Sequence, residues 1–264
     1  MKTPRAHLAA TLLCAAITGA CSRSTPPGEA PIKVAAASDL SFAFKEVGAA
    51  FEKRSGRKVT FTFGSTGMLA KQIAEGAQYD VFAAANVSFV EDVIKADACI
   101  AETKSPYARG RIVIWTKNGG VAPPEAIGDL TDPRFVKIAI ANPEHAPYGK
   151  AAREAMIGAG VWEGIKSRIV NGENVSQSLQ FAQTGNAESA FVALSLAVVT
   201  EGGSYVLVDD TLHKPIDQAL VVCKRGADEK VGRDFATFVS SPDGRQIMKK
   251  YGFTLPGETV VKAP

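Results

Sequence analysis

Apolar strands alternate with amphipathic helices along most of this chain, and small or hydroxyl-bearing residues occupy several of the turns between them. Residues 32–36 and 59–63 have the composition of strands, and each is followed by apolar residues at helical spacing. Strand, helix, strand and helix at this spacing predict an α/β fold, with a parallel sheet and helices on its faces. Near the end of the chain, residues 241–244 (SPDG) predict a turn, and residues 245–251 predict a helix.

A second series of strands and helices begins near residue 137, and extended strands near residues 110–116 and 217–223 join the two series. This organisation predicts two α/β lobes with a cleft between them. Ligands of open α/β sheets bind beyond the carboxyl ends of the strands, so we expect the ligand in that cleft. The predicted lobes are residues 31–112 together with 220–264, and residues 113–219.

The first twenty residues are predicted to be a secretory signal. Residues 1–5 are basic, and the apolar stretch at residues 8–20 is too short to span a bilayer as a mature helix. Cys21 follows in a sequence that resembles a lipoprotein processing box, which predicts lipidation of this cysteine; simple cleavage near Ala20 is the alternative. Residues 21–30 are rich in Ser, Pro and Gly and predict a tether. We therefore expect an exported, periplasmic protein with a lipid anchor at Cys21.

The charge balance gives no support for nucleic-acid binding. The chain has 30 basic and 27 acidic residues, and removal of residues 1–20 takes away Lys2 and Arg5 and no acidic residue. The mature chain therefore has 28 basic and 27 acidic residues. A surface so close to neutral lacks the positive potential that a nucleic-acid phosphate backbone requires.

Two cysteines remain in the body of the chain, Cys99 and Cys223. In an exported protein they form either a disulfide or two buried thiols, and the sequence leaves both alternatives open. No CxxC pair exists and the three histidines are scattered, so we expect no metal site built from Cys and His.

Four predicted helix starts carry the main functional signal. The first turn of a helix has N–H groups without partners and the positive end of the helix dipole, which together bind oxyanions. The expected donors are the hydroxyls of Ser38 and Thr66 and the backbone N–H groups of Ser38, Thr66, Tyr148 and Val175, with Ser65 as a competitor to Thr66. An anion held from both lobes would favour the closed form. For any one turn, ordinary capping by Ser or Thr is the alternative.

Other chemistries lack their motifs in this chain. The sequence contains neither GxGxxG nor GxxxxGK[ST], so nucleotide binding is not indicated. It also shows no spaced nucleophile and base and no metal cluster. We therefore expect a binding protein rather than an enzyme, with no catalytic residues and no cofactor. An exported phosphate-ester hydrolase is the enzymatic alternative, and a ligand-sensing subunit of a membrane receptor is another.

Short segments distributed from about residue 32 to residue 256 carry a family resemblance. They are residues 35–38 (AAAS), 63–67 (FGSTG), 69–73 (LAKQI), 80–85 (DVFAAA), 107–110 (YARG), 142–149 (NPEHAPYG), 191–195 (FVALS) and 250–253 (KYGF). Together they make the chain resemble the periplasmic molybdate-binding proteins of ABC importers. The resemblance implies the type II periplasmic-binding-protein fold, with tetrahedral molybdate or tungstate as the ligand.

The resemblance also implies partners and site residues. The partners are a membrane permease and its cytoplasmic ATPase, and we expect the binding protein itself to be a monomer. The oxyanion contacts of the family fall on Ser38, Thr66, Tyr148 and Val175, the last two through backbone N–H groups. These contacts are made to the molybdate oxygens and do not coordinate the metal directly.

The chain departs from the family pattern at two positions. Some members have a tyrosine ligand where this chain has Ala193, and others have an amide-bearing or apolar residue where this chain has Asp39. A carboxylate beside a dianion is repulsive unless it is protonated or points away. We expect Asp39 to cap its own helix and face outward. The alternative is that Asp39 accepts a proton from the ligand, which would shift selectivity from molybdate to phosphate or arsenate; sulfate is a further candidate ligand.

Overall fold

The structure, a computed structural model, describes residues 30–258. The predicted signal sequence, the lipidation site at Cys21 and all but the last residue of the predicted tether lie outside the described residues, as do residues 259–264. Within the described range, no helix combines the length and the apolar composition needed to cross a membrane.

Strands and helices alternate through the described chain. The strands are β1 (Ile32–Ala37), β2 (Val59–Gly64), β3 (Val81–Ala84), β4 (Ser105–Gly110), β5 (Ile112–Lys117), β6 (Ile138–Ala141), β7 (Ile169–Gly172), β8 (Ser189–Ala193), β9 (Gly203–Leu207) and β10 (Ile216–Val222). The α-helices are α1 (Ala43–Ser55), α2 (Thr66–Ala74), α3 (Val87–Lys95), α4 (Pro147–Gly158), α5 (Trp162–Ile165), α6 (Val175–Thr184), α7 (Leu194–Ala197), α8 (Glu229–Val239) and α9 (Pro242–Lys250). A 3₁₀ turn at Ser38–Leu40 follows β1 directly.

The strands form two five-stranded mixed sheets. The first has the order β2-β1-β3-β10-β4, with β1 parallel to β2 and β3, and β10 antiparallel to β3 and β4. The second has the order β7-β6-β8-β5-β9, with β6 parallel to β7 and β8, and β5 antiparallel to β8 and β9. The predicted α/β class is confirmed. The parallel pairing holds for the βαβ units, whereas the strands next to the lobe crossings run antiparallel.

The chain crosses between the two sheets twice, at adjacent points. It leaves the first sheet at Gly110 and joins the second at Ile112; on its return it enters β10 at Ile216, which pairs with Gly110. The predicted lobe boundaries at 112/113 and 219/220 stay a prediction. By sheet membership, all of β10 lies in the first lobe and all of β5 lies in the second.

Aromatic side chains fill the core between the first sheet and the helices α1 and α8. Phe235 lies edge-on to both Phe44 and Phe51, with ring centroids 6.0 and 5.3 Å apart. Edge-to-face pairs of this kind contribute about 0.5–1.5 kcal/mol each beyond the burial of their area. This core makes the first sheet a rigid support for the turns at the ends of its strands.

The prediction for residues 241–244 was wrong in one respect. These residues begin α9 and do not form a separate turn before it. Ser241 caps the helix by accepting a hydrogen bond from the N–H of Gly244 at 3.3 Å, and Pro242 occupies the first helical position. Proline suits that position because its ring presets the helical φ and no N–H is needed there.

Cys99 and Cys223 are buried, free and opposed to each other. They form an isolated antiparallel bridge, and their Sγ atoms lie 2.9 Å apart. The flanking residues make the ladder hydrogen bonds, Ile100 N–H to Val222 O and Lys224 N–H to Ala98 O, both at 2.9 Å. In such a non-hydrogen-bonded pair the Cα atoms are about 4.5 Å apart, which is within the range that a disulfide spans.

We expect oxidation to cross-link these cysteines and stabilise the protein. Refolding with oxidised glutathione should convert the two thiols to one disulfide, reduce the glutathione disulfide to two thiols, and raise the melting temperature by roughly 5–15 °C. Peptide mapping and thermal denaturation measure the two effects. The Cys99→Ala/Cys223→Ala variant is the control and should not respond to the oxidant. Two alkylatable thiols after refolding would contradict the expectation.

Candidate functional site

A small cavity lies between the lobes, beyond the carboxyl ends of β1 and β2. Its volume is about 10 Å³, close to the minimum that one water molecule requires. Its lining comes from both lobes: Ala37, Ser38, Asp39, Gly64, Ser65, Thr66, Ala85, Ala146, Pro147, Tyr148, Asn174 and Val175. The structure thus brings all the candidate ligand-binding residues of the sequence to one cavity; their contacts with a ligand stay a prediction.

The start of α2 separates the roles of Ser65 and Thr66. The Ser65 hydroxyl contacts His145 of the other lobe, donating to its carbonyl oxygen at 2.7 Å and lying 2.7 Å from its Nδ1. Thr66 Oγ1 accepts a hydrogen bond from the N–H of Ala85 at 3.2 Å, so its own hydrogen remains available for a ligand. Thr66 is therefore the better donor to the cavity, and Ser65 joins the lobes.

The starts of α4 and α6 present backbone N–H groups from the second lobe. Tyr148 follows Pro147 at the beginning of α4, whose capping residue makes no side-chain hydrogen bond. At the start of α6, Asn174 Oδ1 accepts hydrogen bonds from the N–H groups of Ser176 and Gln177, both at 3.1 Å. This cap leaves the N–H of Val175 unused, because the first helical residue has no partner within the helix.

The turn that carries Ser38 and Asp39 is held against the second lobe by its carbonyl groups. Ser176 donates its hydroxyl to Ser38 O at 3.1 Å, and Ser195 donates its hydroxyl to Asp39 O at 2.7 Å. The Ser38 hydroxyl itself makes no hydrogen bond within the described residues, and Ser38 is buried. It is therefore free to donate to a ligand in the cavity.

His145 and Gly67 meet across the cleft beside the cavity. The N–H of Gly67 donates to His145 O at 2.9 Å, and this carbonyl also accepts the Ser65 hydroxyl. A Cβ atom at residue 67 would lie 2.8 Å from His145 O, so any larger residue would separate the lobes here. The lobes are therefore closed in this structure, with hydrogen bonds across the cleft.

Asp39 does not face outward, so that prediction was wrong. It is 1% exposed, and the turn that contains it has no side-chain cap. Its Oδ2 accepts hydrogen bonds from the hydroxyl of Tyr148 at 2.9 Å and from Nε2 of Gln218 at 2.7 Å, while its Oδ1 is buried and has no hydrogen-bond partner among the described residues. The second lobe covers the turn completely, so the side chain of Asp39 could not reach solvent by facing outward.

The network around Asp39 spans both lobes and both crossing strands. Gln218 lies in β10, and its Oε1 accepts the hydroxyl of Tyr107 in β4 at 2.7 Å. Gly110 makes room for this network, because a Cβ atom at residue 110 would collide with the hydroxyl of Tyr148 and approach Nε2 of Gln218 to 2.9 Å. The absence of a side chain at Gly110 thus allows Tyr148 of the second lobe to reach Asp39 of the first.

Burial raises the pKa of Asp39 from its ordinary value of 3.8 to about 6, against the opposing effect of the hydrogen bonds from Gln218 and Tyr148. Burial, with the nearby Asp39 charge, also holds the pKa values of Tyr107 and Tyr148 well above 10. Both tyrosines are therefore neutral donors at any physiological pH, and Asp39 is the group of this network that titrates.

The sequence does not reveal Gln218 or Tyr107 as part of the site. Each is a buried residue in a strand next to the lobe crossing, and Gln218 is completely buried. A buried amide needs a hydrogen-bond partner, and this was the available signal. The residues that line the cavity include no Lys, Arg or His. Elsewhere in residues 30–258 no group of His, Cys, Asp and Glu lies together so as to hold a metal ion.

Two α/β lobes that close over a small cavity, with helix starts at its border from both sides, define a cleft-type binding protein. Residues 32–254 match the model of the bacterial extracellular solute-binding protein family. The chain belongs to this family.

Several relatives of this chain are molybdate-binding proteins. A molybdate-binding protein ModA of Rhodobacter capsulatus is 35% identical over 228 residues, which are 86% of this chain and 90% of that protein. The molybdate-binding protein ModA of Azotobacter vinelandii is 34% identical over 229 residues, again 86% of this chain and 90% of that protein. A solved structure of the periplasmic molybdate-binding protein of Azotobacter vinelandii superimposes with a TM-score of 0.79 at 28% identity, covering 85% of this chain and 99% of that one.

The raised pKa of Asp39 predicts a pH-dependent stability. Because the folded-state pKa lies above the unfolded value, the stability that this group contributes is fully present below about pH 3.8 and is lost as the pH rises through about 6. Asp39→Asn removes the charge and should therefore raise the free energy of unfolding at pH 7.5. This effect should exceed the effect of the same substitution at pH 4 by about 2–3 kcal/mol. Urea denaturation at the two pH values measures this difference.

The control is Asp217→Asn, which alters an exposed carboxylate next to Gln218 that pairs with Arg109. It should change stability by less than about 1 kcal/mol at either pH, because exposed ion pairs contribute little. An Asp39→Asn variant that is no more stable at pH 7.5 than at pH 4, relative to the wild type, would contradict the assigned burial of the charge.

Proposed function

We propose that this chain captures molybdate or tungstate outside the cytoplasm and delivers it to a membrane permease with a cytoplasmic ATPase. The observation that carries the proposal is the convergence of three helix starts and one 3₁₀ turn, two elements from each lobe, on one cavity whose lining has no basic side chain. The similarity to molybdate-binding proteins supports the choice of ligand.

The proposed contacts are neutral donors. The hydroxyls of Ser38 and Thr66 come from the first lobe, and the backbone N–H groups of Tyr148 and Val175 come from the second. Hydrogen bonds to a charged partner contribute about 1.5–3 kcal/mol each, so several of them can hold a buried dianion without a cationic side chain. Because the donors belong to both lobes, the ligand binds best when the lobes are closed.

Asp39 favours a second candidate, a tetrahedral oxyanion that carries its own proton. An ionised carboxylate can only accept hydrogen bonds, and hydrogen phosphate or hydrogen arsenate supplies one donor to it. Asp39 lines the cavity and its Oδ1 has no partner. Phosphate and arsenate are therefore the competing ligands, whereas sulfate, like molybdate, offers no proton near neutral pH.

We further infer that the protein performs no chemistry on its ligand. One hydroxyl and one imidazole do meet at the cavity, Ser65 Oγ and His145 Nδ1. In the described part of the chain no third group orients this imidazole, and the Ser65 hydroxyl also donates to a carbonyl oxygen. Both features are unlike a nucleophile activated by an oriented base. A generic phosphate ester should therefore remain intact.

The remaining elements of the proposal concern location and partners. A periplasmic protein anchored through a lipid on Cys21 would stay near its permease. The tether of residues 21–30 would allow the lobes to reach it. We propose that the binding protein acts as a monomer, with no cofactor and no nucleic-acid partner.

The proposal predicts that two hydroxyls contribute directly to affinity. Ser38→Ala and Thr66→Ala should each weaken molybdate binding about 10- to 100-fold, since each removes one charge-assisted hydrogen bond. Isothermal titration of the mature protein with sodium molybdate measures the change. Thr62→Ala is the matched control, because this exposed hydroxyl lies on β2 outside the cavity. Unchanged affinity in both hydroxyl variants would remove the site assignment.

A thermal-shift screen with molybdate, tungstate, sulfate, phosphate and arsenate tests the ligand class. A ligand that binds only the folded state stabilises it by about 4 kcal/mol at a thousandfold excess over Kd. We expect the largest shift with molybdate or tungstate. A larger shift with phosphate or arsenate would instead establish the competing ligand, and no shift with any oxyanion would refute the proposal.

A further inference from the structure

We propose that Asp39 takes up a proton from solution when a tetrahedral dianion enters the cavity, so that ligand capture is coupled to protonation of one buried carboxylate. This inference rests on the proposed function, because it requires that a dianion binds at this cavity. It goes beyond that function by assigning a proton-binding site and a direction to the pH dependence of affinity.

The geometry of Asp39 determines where the proton would go. Oδ2 already accepts two hydrogen bonds, from the hydroxyl of Tyr148 and from Nε2 of Gln218. Oδ1 is buried and has no partner. Protonation of Oδ1 therefore removes the negative charge without breaking either hydrogen bond to Oδ2. The protonated Oδ1 can also donate a hydrogen bond, whereas, among the described residues, the ionised Oδ1 has no group that donates one to it.

Within residues 30–258, no cationic side chain contacts Asp39 to keep it ionised beside a dianion. The groups that face it are the hydroxyl of Tyr148 from α4, the amide of Gln218 from β10 and, behind the amide, the hydroxyl of Tyr107 from β4. From α7, Ser195 contacts only the backbone carbonyl of Asp39. All these groups are neutral, so none of them offsets the repulsion between an entering dianion and an ionised Asp39, and this repulsion raises the pKa of Asp39 further.

In the free protein, Asp39 already gains or loses its proton close to neutral pH. Burial raises the pKa of Asp39 to about 6, so the carboxyl is mostly protonated at pH 5.5 and mostly ionised at pH 7.5. At pH 5.5 the ligand finds the neutral form and takes up little additional proton. At pH 7.5 binding should take up close to one proton, and the Kd for molybdate should be roughly 10- to 30-fold higher than at pH 5.5.

Calorimetry with sodium molybdate tests the coupling. At each pH the titration is repeated in two phosphate-free buffers with different ionisation enthalpies, because the difference in measured heat counts the protons exchanged. The wild type should take up close to one proton at pH 7.5 and far less at pH 5.5. Molybdate binding at pH 7.5 with the same heat in both buffers would overturn the proposal while leaving the proposed function intact.

Two variants assign the proton to a residue. Asp39→Asn retains an oxygen for Tyr148 and Gln218 but cannot ionise, so its proton uptake should disappear and its Kd should stay constant between the two pH values. In His145→Gln, which removes the imidazole that contacts Ser65 beside the cavity, the uptake should persist. Uptake that persists in Asp39→Asn would overturn the proposal, as would uptake lost only in His145→Gln.

The measurements also distinguish failure of the proposed function from failure of the proposed proton coupling. The proton count of the wild type needs no variant, so it decides the coupling even if Asp39→Asn fails to fold. If the protein binds neither molybdate nor any other tetrahedral oxyanion at either pH value, both the proposed function and the proton coupling are refuted. Binding without proton exchange removes only the role of Asp39.

Discussion

Every α-helix begins with N–H groups that have no partner inside the helix, and this molecule concentrates several of them at one point. The starts of α2, α4 and α6 and the turn after β1 all border the same cavity. Water can satisfy such groups when the cleft is open. When the lobes close, an anion is the natural replacement, because it accepts several hydrogen bonds and is favoured by the helix dipoles. Closure and ligand selection therefore share one physical origin.

Much of this arrangement could be predicted from local sequence. Strand and helix periodicities indicate the α/β class, and hydroxyl and small residues mark the turns at Ser38, Thr66, Tyr148 and Val175. These signals are local: they depend on residues within one turn of a helix or one strand. The error at residues 241–244 has the same basis, because a Ser-Pro pair signals the start of a helix as well as a turn, and only the capping hydrogen bond of Ser241 distinguishes them.

The environment of Asp39 could not be predicted in this way. Its partners Tyr148 and Gln218 are 109 and 179 residues away, and they reach it only because the lobes close and Gly110 lacks a side chain. A carboxylate early in a helical turn ordinarily favours an exposed cap. Here the tertiary structure overrides that preference and confines the charge between two lobes. Long-range polar contacts of this kind have no periodic signature in a single sequence.

The pairing of Gly110 with Ile216 has a consequence for how such a protein can evolve. The second lobe is an insertion in the chain, and the residues before and after it pair with each other in the first sheet. The first sheet is therefore connected to the second lobe only at this short junction. A different domain whose ends lie one strand spacing apart could be grafted at that junction without altering the pairing of β1, β2 and β3. Half of the binding cleft is therefore exchangeable as a module, while the other half keeps its architecture.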